Sequence, residues 1–152
     1  MQNLCYIFYM EKQMDITVTF GGGMKVNANF NNFTVYTDQT KRAGGDESSP
    51  EPFYYFLSSL ATCAGFFVLR FCQTRKISSE GIQLRQSHHW NKEQKRVDNI
   101  HLEIELPSSF PEKYAPALIR ATNECTVKKA LMNPPQIDVT TKIVDAATKK
   151  II

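Results

Sequence analysis

Apolar and polar residues alternate from Asp15 to Thr37. Ile16, Val18 and Phe20, then Val26, Ala28 and Phe30, then Phe33 and Val35 fall on common faces, with Thr, Asn and Lys between them. A period of two is that of a half-buried strand, so three antiparallel strands are predicted. Gly21-Gly22-Gly23 and Asn31-Asn32 supply residues that tolerate the positive φ of tight hairpins. The polar stretch Asp38 to Ser49 ends the alternation, and Ser49-Pro50 has the form of an N-cap followed by proline at the first helical position. From Pro52 to about Arg75 the chain is apolar on nearly every side, through Phe53, Tyr54, Phe56, Leu57, Leu60, Phe66, Phe67, Val68, Leu69 and Phe71. Such a run predicts a helix buried around most of its circumference. A membrane span is the rival reading, but the apolar run is at the short end of the spanning range and is diluted by Ser58, Ser59, Thr62 and Gly65. A central helix enclosed by protein, with no membrane, is the reading adopted.

Two further alternating runs, Ile82 to Trp90 and Val97 to Leu106, flank the polar turn Asn91 to Arg96 and predict a β-hairpin. A second helix is expected from about Pro111, because Tyr114, Leu118, Ala121 and Cys125 recur at the spacing of one helical stripe. Thr126 to Met132 reads as one more short helix stopped by Asn133-Pro134-Pro135, and Ile137, Val139 and Ile143 as a last strand. The order βββ-α-ββ-αα-β gives an α+β fold with mostly antiparallel sheet.

At 152 residues the chain suits one domain. Residues 1–14 are expected to form an N-terminal extension and 15–152 the domain itself. The apolar start of the chain lacks the basic segment and small-residue cleavage site of a secretion signal. The formal charge of +3 comes from 18 basic and 15 acidic residues scattered along the chain, so no phosphate-binding face is defined and nucleic acid is not an expected partner. Cys5, Cys63, Cys72 and Cys125 are widely spaced and form no CxxC half-site, which points away from a metal centre and toward a reducing, cytoplasmic setting. No cofactor is implied.

A cysteine in the middle of an apolar helix is ordinarily an inert core side chain, and Cys63 taken alone would be one. Cys125 changes the picture. It lies where one helix ends and another begins, where unpaired amides, the helix dipole and the nearby Lys128 and Lys129 are expected to acidify a thiol. Two thiols on apolar helical faces, if they meet, suit attack on an O–O bond followed by disulfide formation. Cys72 is nine residues beyond Cys63, on the opposite side of a helix with 100° steps, and is read as a core or dimer contact. His88 and His89 are adjacent in a strand and face opposite sides, so they do not bind one metal. Either Arg70 or Arg75 could be a structural ion-pair member or a ligand for an anionic substrate group, and the structural role is favoured.

Several blocks resemble one family: Thr37-Asp38-Gln39, Gly44-Gly45, PEPFYYFLSSLATCAGFFVLRFCQTR around Cys63, then LPSSFPEKY, IRATNECTVKKAL and NPP. In this order they are similar to the OsmC/Ohr superfamily, in the branch marked by TDQ, TCAG and C-VKK blocks. The resemblance implies an OsmC-like fold, an intertwined homodimer with sheet wrapped around long buried helices, and a redox cysteine pair at each of two interface sites. It also implies that Cys63 attacks an organic hydroperoxide, that Cys125 resolves the product and that a dithiol reductant regenerates the pair. Peroxidase members hold the thiolate with a glutamate and an arginine. Here Phe53 stands at the glutamate position, Glu51 is one residue early, and Gly23-Met24-Lys25 replaces the arginine. Lys25 and Arg42 are the candidate charge partners, although a lysine cannot reproduce the planar two-point contact of a guanidinium. Slow, alkaline-favoured chemistry is therefore expected.

Two functions follow. The first is thiol-dependent reduction of organic hydroperoxides as protection against oxidative stress. The alternative is a non-enzymatic dimer that binds an apolar small molecule among Phe53, Tyr54, Phe56 and Phe67, side chains that suit either pocket.

Overall fold

The first alternating run folds into a meander of three antiparallel strands, β1 (Thr17–Phe20), β2 (Val26–Phe30) and β3 (Phe33–Thr37), in the order β1-β2-β3. The structure is a computed structural model that describes residues 14–144. The expected extension, apart from Met14, and the end of the expected domain lie outside the described residues, as does Cys5. At the first turn Gly22 and Gly23 adopt φ of 85° and 58°, which a residue with a Cβ reaches only with strain. Gly21 N–H donates to the Lys25 carbonyl at 2.9 Å across that turn.

The long helix α1 spans Pro52–Arg75. It starts two residues later than the Ser49-Pro50 signal predicts, for two reasons. Ser48 is held outside the helix, because its amide and hydroxyl both donate to Asp38. Pro52 also biases Glu51 toward extended backbone, so the second of the two prolines becomes the first helical residue.

The hairpin β4 (Gln83–Asn91) and β5 (Arg96–Glu105) is antiparallel, with an irregularity between His89 and Trp90. After a 3-10 turn at Glu112–Tyr114 come α2 (Ala115–Thr122), with Pro116 in its first turn, and α3 (Thr126–Met132). Mixed helices and antiparallel sheets make this the expected α+β fold.

The described residues fall into two compact units. One holds β1–β3, the beginning of α1 through Thr62, and the β4–β5 hairpin. In it Leu57 and Leu60 are buried; Tyr55 Oη donates to the Tyr36 carbonyl at 2.8 Å and Gln86 Nε2 to the Leu57 carbonyl at 3.1 Å, tying both sheets to the helix. The other holds α1 from Cys63 onward with α2 and α3. Its core is Ala64, Val68, Phe71, Cys72, Phe110, Leu118 and Cys125. Phe71 packs edge-on to Tyr114 at 6.3 Å between centroids, and the Arg75 guanidinium lies over the Phe71 ring, 3.9 Å from its centroid.

Two expectations need correction. The helix was expected to be buried around most of its circumference, but within the single chain Leu57, Leu60, Ala64, Val68, Phe71 and Cys72 form a buried stripe while Phe53, Tyr54, Phe66 and Leu69 remain exposed. One chain of this size does not supply enough sheet to cover a helix that is apolar all round. By length and composition α1 could also cross a membrane; its buried stripe and its hydrogen bonds to both sheets are those of a core helix. The last expected strand is not formed either. Residues 133–144 carry no regular structure, and Ile137, Val139 and Ile143 are 82%, 89% and 97% exposed. The alternation is present, but a strand exists only where an edge pairs with it.

The loop between β3 and α1 is built on a buried carboxylate. Asp38 is wholly inaccessible and accepts four hydrogen bonds: Gln39 N–H at 2.8 Å on Oδ1, and Asp46 N–H at 3.1 Å, Ser48 N–H at 3.0 Å and Ser48 Oγ–H at 2.7 Å on Oδ2. The Ser48 hydroxyl and then the Ser48 amide are the main reasons that this carboxyl stays ionised far below the usual range, against the opposing effect of burial. Lys25, in the turn before β2, closes the loop with a 2.6 Å ion pair to Asp46. Only glycine fits at 45, since a Cβ there would lie 2.1 Å from the Gln39 carbonyl oxygen. Because the folded-state pKa of Asp38 is depressed, its contribution is fully present above the unfolded value of about 4 and is lost as pH falls below it toward the folded value. Asp38→Asn is expected to lower stability at pH 7, because its NH2 faces amide donors, and to flatten the loss of stability below about pH 4. Urea titrations from pH 7 to pH 2.5 check this; an unchanged acid slope in the variant would assign the effect to another carboxylate.

Candidate active site

Cys63 opens the second half of α1 and is half-exposed, whereas Cys72 further along the helix is buried in the core. Cys125 reaches the same unit from the other side of the sequence. Thr122 ends α2 with its hydroxyl returned to the Leu118 carbonyl at 2.9 Å, and Cys125 N–H then donates to the Thr122 carbonyl at 3.1 Å. That tight turn places Leu118, Thr122 and Cys125 along one buried stripe. Cys125 is the N-cap of α3, and its Sγ accepts the Lys128 amide at 3.5 Å. The Cys63 side chain lies near enough to Cys125 for its charge to bear on the Cys125 thiol. Both sulfurs are free thiols.

The electrostatics correct one expectation. A cysteine at a helix start was expected to be acidified, yet the Cys125 thiol is raised above its ordinary range. Burial is the largest cause; the Lys128 and Val127 amides act in the opposite direction, and negative charge on Cys63 adds to the rise. Desolvation of a wholly enclosed sulfur outweighs two amides of a short helix. Nor do the lysines turn toward the thiol: Lys128 Nζ donates to Asn123 Oδ1 at 2.6 Å, and Lys129 pairs with Glu124 at 2.5 Å. Burial raises Cys72 as well. The geometry therefore sets a partly exposed cysteine, Cys63, against an enclosed one, Cys125, whose thiol is raised by burial.

The remaining candidates are placed as follows. Lys25 is committed to Asp46, and Arg42 is exposed on the 3-10 turn Lys41–Ala43. The Phe53 and Phe56 rings lie 5.3 Å apart at the start of α1, with Tyr54 exposed beside them. Phe67 meets Phe66 edge-on at 5.6 Å in the Cys63 unit. His89 Nδ1 is 2.8 Å from Asp98 Oδ1 on the outer face of the hairpin. Among the described residues no group of three or more His, Cys, Asp and Glu could hold a metal ion.

Two features escape a reading of the sequence. Asp38 was quoted there only as part of a block, and nothing in a period or spacing says that its carboxylate is buried. An Asp followed by Gly-Gly and then Ser within one polar stretch is the signal that could have found it. The bond from Lys128 N–H to Cys125 Sγ was equally hidden, because cysteine is not among the usual capping residues.

Residues 44–140 match the family described as OsmC-like protein. Among curated proteins none matches the chain. Solved structures resemble it at low identity. An OsmC-like protein from Mycoplasma pneumoniae has a TM-score of 0.66 at 18% identity, over 82% of this chain and 91% of the other. An organic hydroperoxide resistance protein from Elizabethkingia anophelis gives 0.52 at 16% identity, over 81% and 90%. The organic hydroperoxide resistance protein OhrB of Bacillus subtilis gives 0.51 at 17% identity, over 82% and 93%.

Proposed function

We propose that this chain, which belongs to the OsmC-like protein family, protects against oxidative stress by reducing organic hydroperoxides through Cys63 and Cys125. The observation that carries this reading is the proximity of a partly exposed cysteine and an enclosed one within one unit. The names of the similar solved proteins, two of them organic hydroperoxide resistance proteins, support the substrate class.

The chemistry follows from the asymmetry of the pair. The Cys63 thiolate attacks one peroxide oxygen, an S–O bond forms as the O–O bond breaks, and the alkoxide leaves as an alcohol after taking a proton. Sulfur is oxidised to a sulfenic acid by two electrons, and the peroxide is reduced by the same two. The Cys125 sulfur, having lost its proton, then attacks the Cys63 sulfur; the S–O bond breaks, water leaves and a disulfide remains. An external dithiol takes the bond back to two thiols. Keeping Cys125 protonated until this second step prevents it from competing for peroxide.

The working unit is a homodimer in the cytoplasm. Phe53, Tyr54, Phe66 and Leu69 on α1 and Phe20 and Phe33 on the first sheet are exposed apolar side chains of the kind that mark an interaction surface, and a second copy would cover them.

In a peroxide-consumption assay with tert-butyl hydroperoxide and dithiothreitol, Cys63→Ser is expected to abolish turnover. Cys125→Ser is expected to consume about one equivalent and stop at the sulfenic acid. Full turnover by either variant contradicts the assignment. In sedimentation velocity at micromolar concentration the folded chain is expected to run as a dimer; a folded monomer would remove the proposed cover for α1.

A further inference from the structure

Cys125 Sγ makes two contacts at once, and the chemistry proposed for the pair cannot preserve both at their present geometry. On one side it lies against the Cys63 side chain. On the other it accepts the Lys128 amide at 3.5 Å as the N-cap of α3. A disulfide brings the two sulfurs to about 2.05 Å, well inside any hydrogen-bonded separation, and requires a χ3 near 90°. Cys125 is wholly buried, at a turn fixed by its own amide on the Thr122 carbonyl. Its backbone is held, so its sulfur must travel by rotation of the side chain, away from the α3 amide.

We propose that closing the Cys63–Cys125 disulfide uncaps α3, so that the oxidised and reduced forms differ chiefly in the order of residues 126–132. This inference rests on the redox reading of the pair and adds a conformational consequence to it. Three observations make α3 the element that responds. It is short, Thr126–Met132, and contributes no buried side chain, so little packing holds it when the cap is lost. Its amide–thiol cap is its only side-chain N-cap bond. At its other end the Asn133 amide donates to the Lys129 carbonyl at 3.0 Å, and residues 134–144 beyond it carry no regular structure. Loosening α3 would also uncover the sulfur that it now helps to enclose, which gives a dithiol reductant access to the disulfide and not to the resting thiol.

The test is amide hydrogen exchange on the full chain, read on peptides spanning 126–132, with intact mass counting the disulfide in the same sample. The reduced protein is compared with protein oxidised by one equivalent of tert-butyl hydroperoxide and, separately, by diamide, which closes dithiols without peroxide chemistry. Oxidised protein is expected to exchange roughly 2- to 30-fold faster at the first amides of α3, the range set by losing a helix cap. Reduced Cys125→Ser, whose hydroxyl can replace the cap, is expected to exchange as slowly as the reduced parent. Reduced Cys125→Ala should match the oxidised protein, and the serine comparison stands even where the alanine variant does not fold. A disulfide confirmed by mass with unchanged exchange over 126–132 overturns the inference. A disulfide formed by diamide but not by the hydroperoxide, with faster exchange, supports the uncapping and overturns the peroxidase reading instead.

Discussion

A 24-residue helix with apolar side chains on nearly all its faces must be covered, and most of the chain is arranged to do so. Each square ångström of apolar surface left in water forgoes about 25 cal/mol. The single chain meets this demand along one stripe, from Leu57 to Cys72. Its two sheets are anchored to the first half of α1 by side-chain hydrogen bonds to main-chain carbonyls, Tyr55 to Tyr36 and Gln86 to Leu57. The second half shares a unit with α2, where Phe71 packs on Tyr114 and Phe110, Leu118 and Cys125 are buried. The same requirement brings the cysteines together: Cys63 is carried by the helix being covered, and Cys125 by the segment that covers it.

Chemistry at the pair follows from how unevenly that cover falls. Cys125 is sealed, and its proton is held more tightly than in water despite two nearby amides. Cys63 retains access to solvent. Neither condition requires a charged group beside the thiols. The conspicuous charges are spent elsewhere: Lys25 and Asp46 on the Asp38 loop, Lys129 on Glu124, Arg85 on Glu105.

Much of this was legible in the sequence because it depends on local periods. The alternations of Ile16 to Val35 and of Ile82 to Leu106 gave strands and hairpins, and the apolar run gave α1, although the apolar residues Ile16, Val18 and Phe20 are exposed in the single chain. The start of α1 was misplaced because a non-local bond, Ser48 to Asp38, competes with the local cap signal. The last strand was expected from a correct alternation, but pairing requires an edge that the pattern does not name. The Cys125 thiol was misjudged because a helix terminus is visible in sequence and burial is not. The meeting of Cys63 and Cys125 could only be posed as a question there, since it depends on how α1 and α2 pack.

The most direct test of the redox reading is mass spectrometry of the purified, fully reduced protein after one equivalent of an organic hydroperoxide. The account predicts the loss of two hydrogens from the intact mass and a peptide cross-link between Cys63 and Cys125, with Cys72 still alkylatable on unfolding. A mass unchanged after exposure, or a cross-link that joins Cys72 in place of either sulfur, would contradict it.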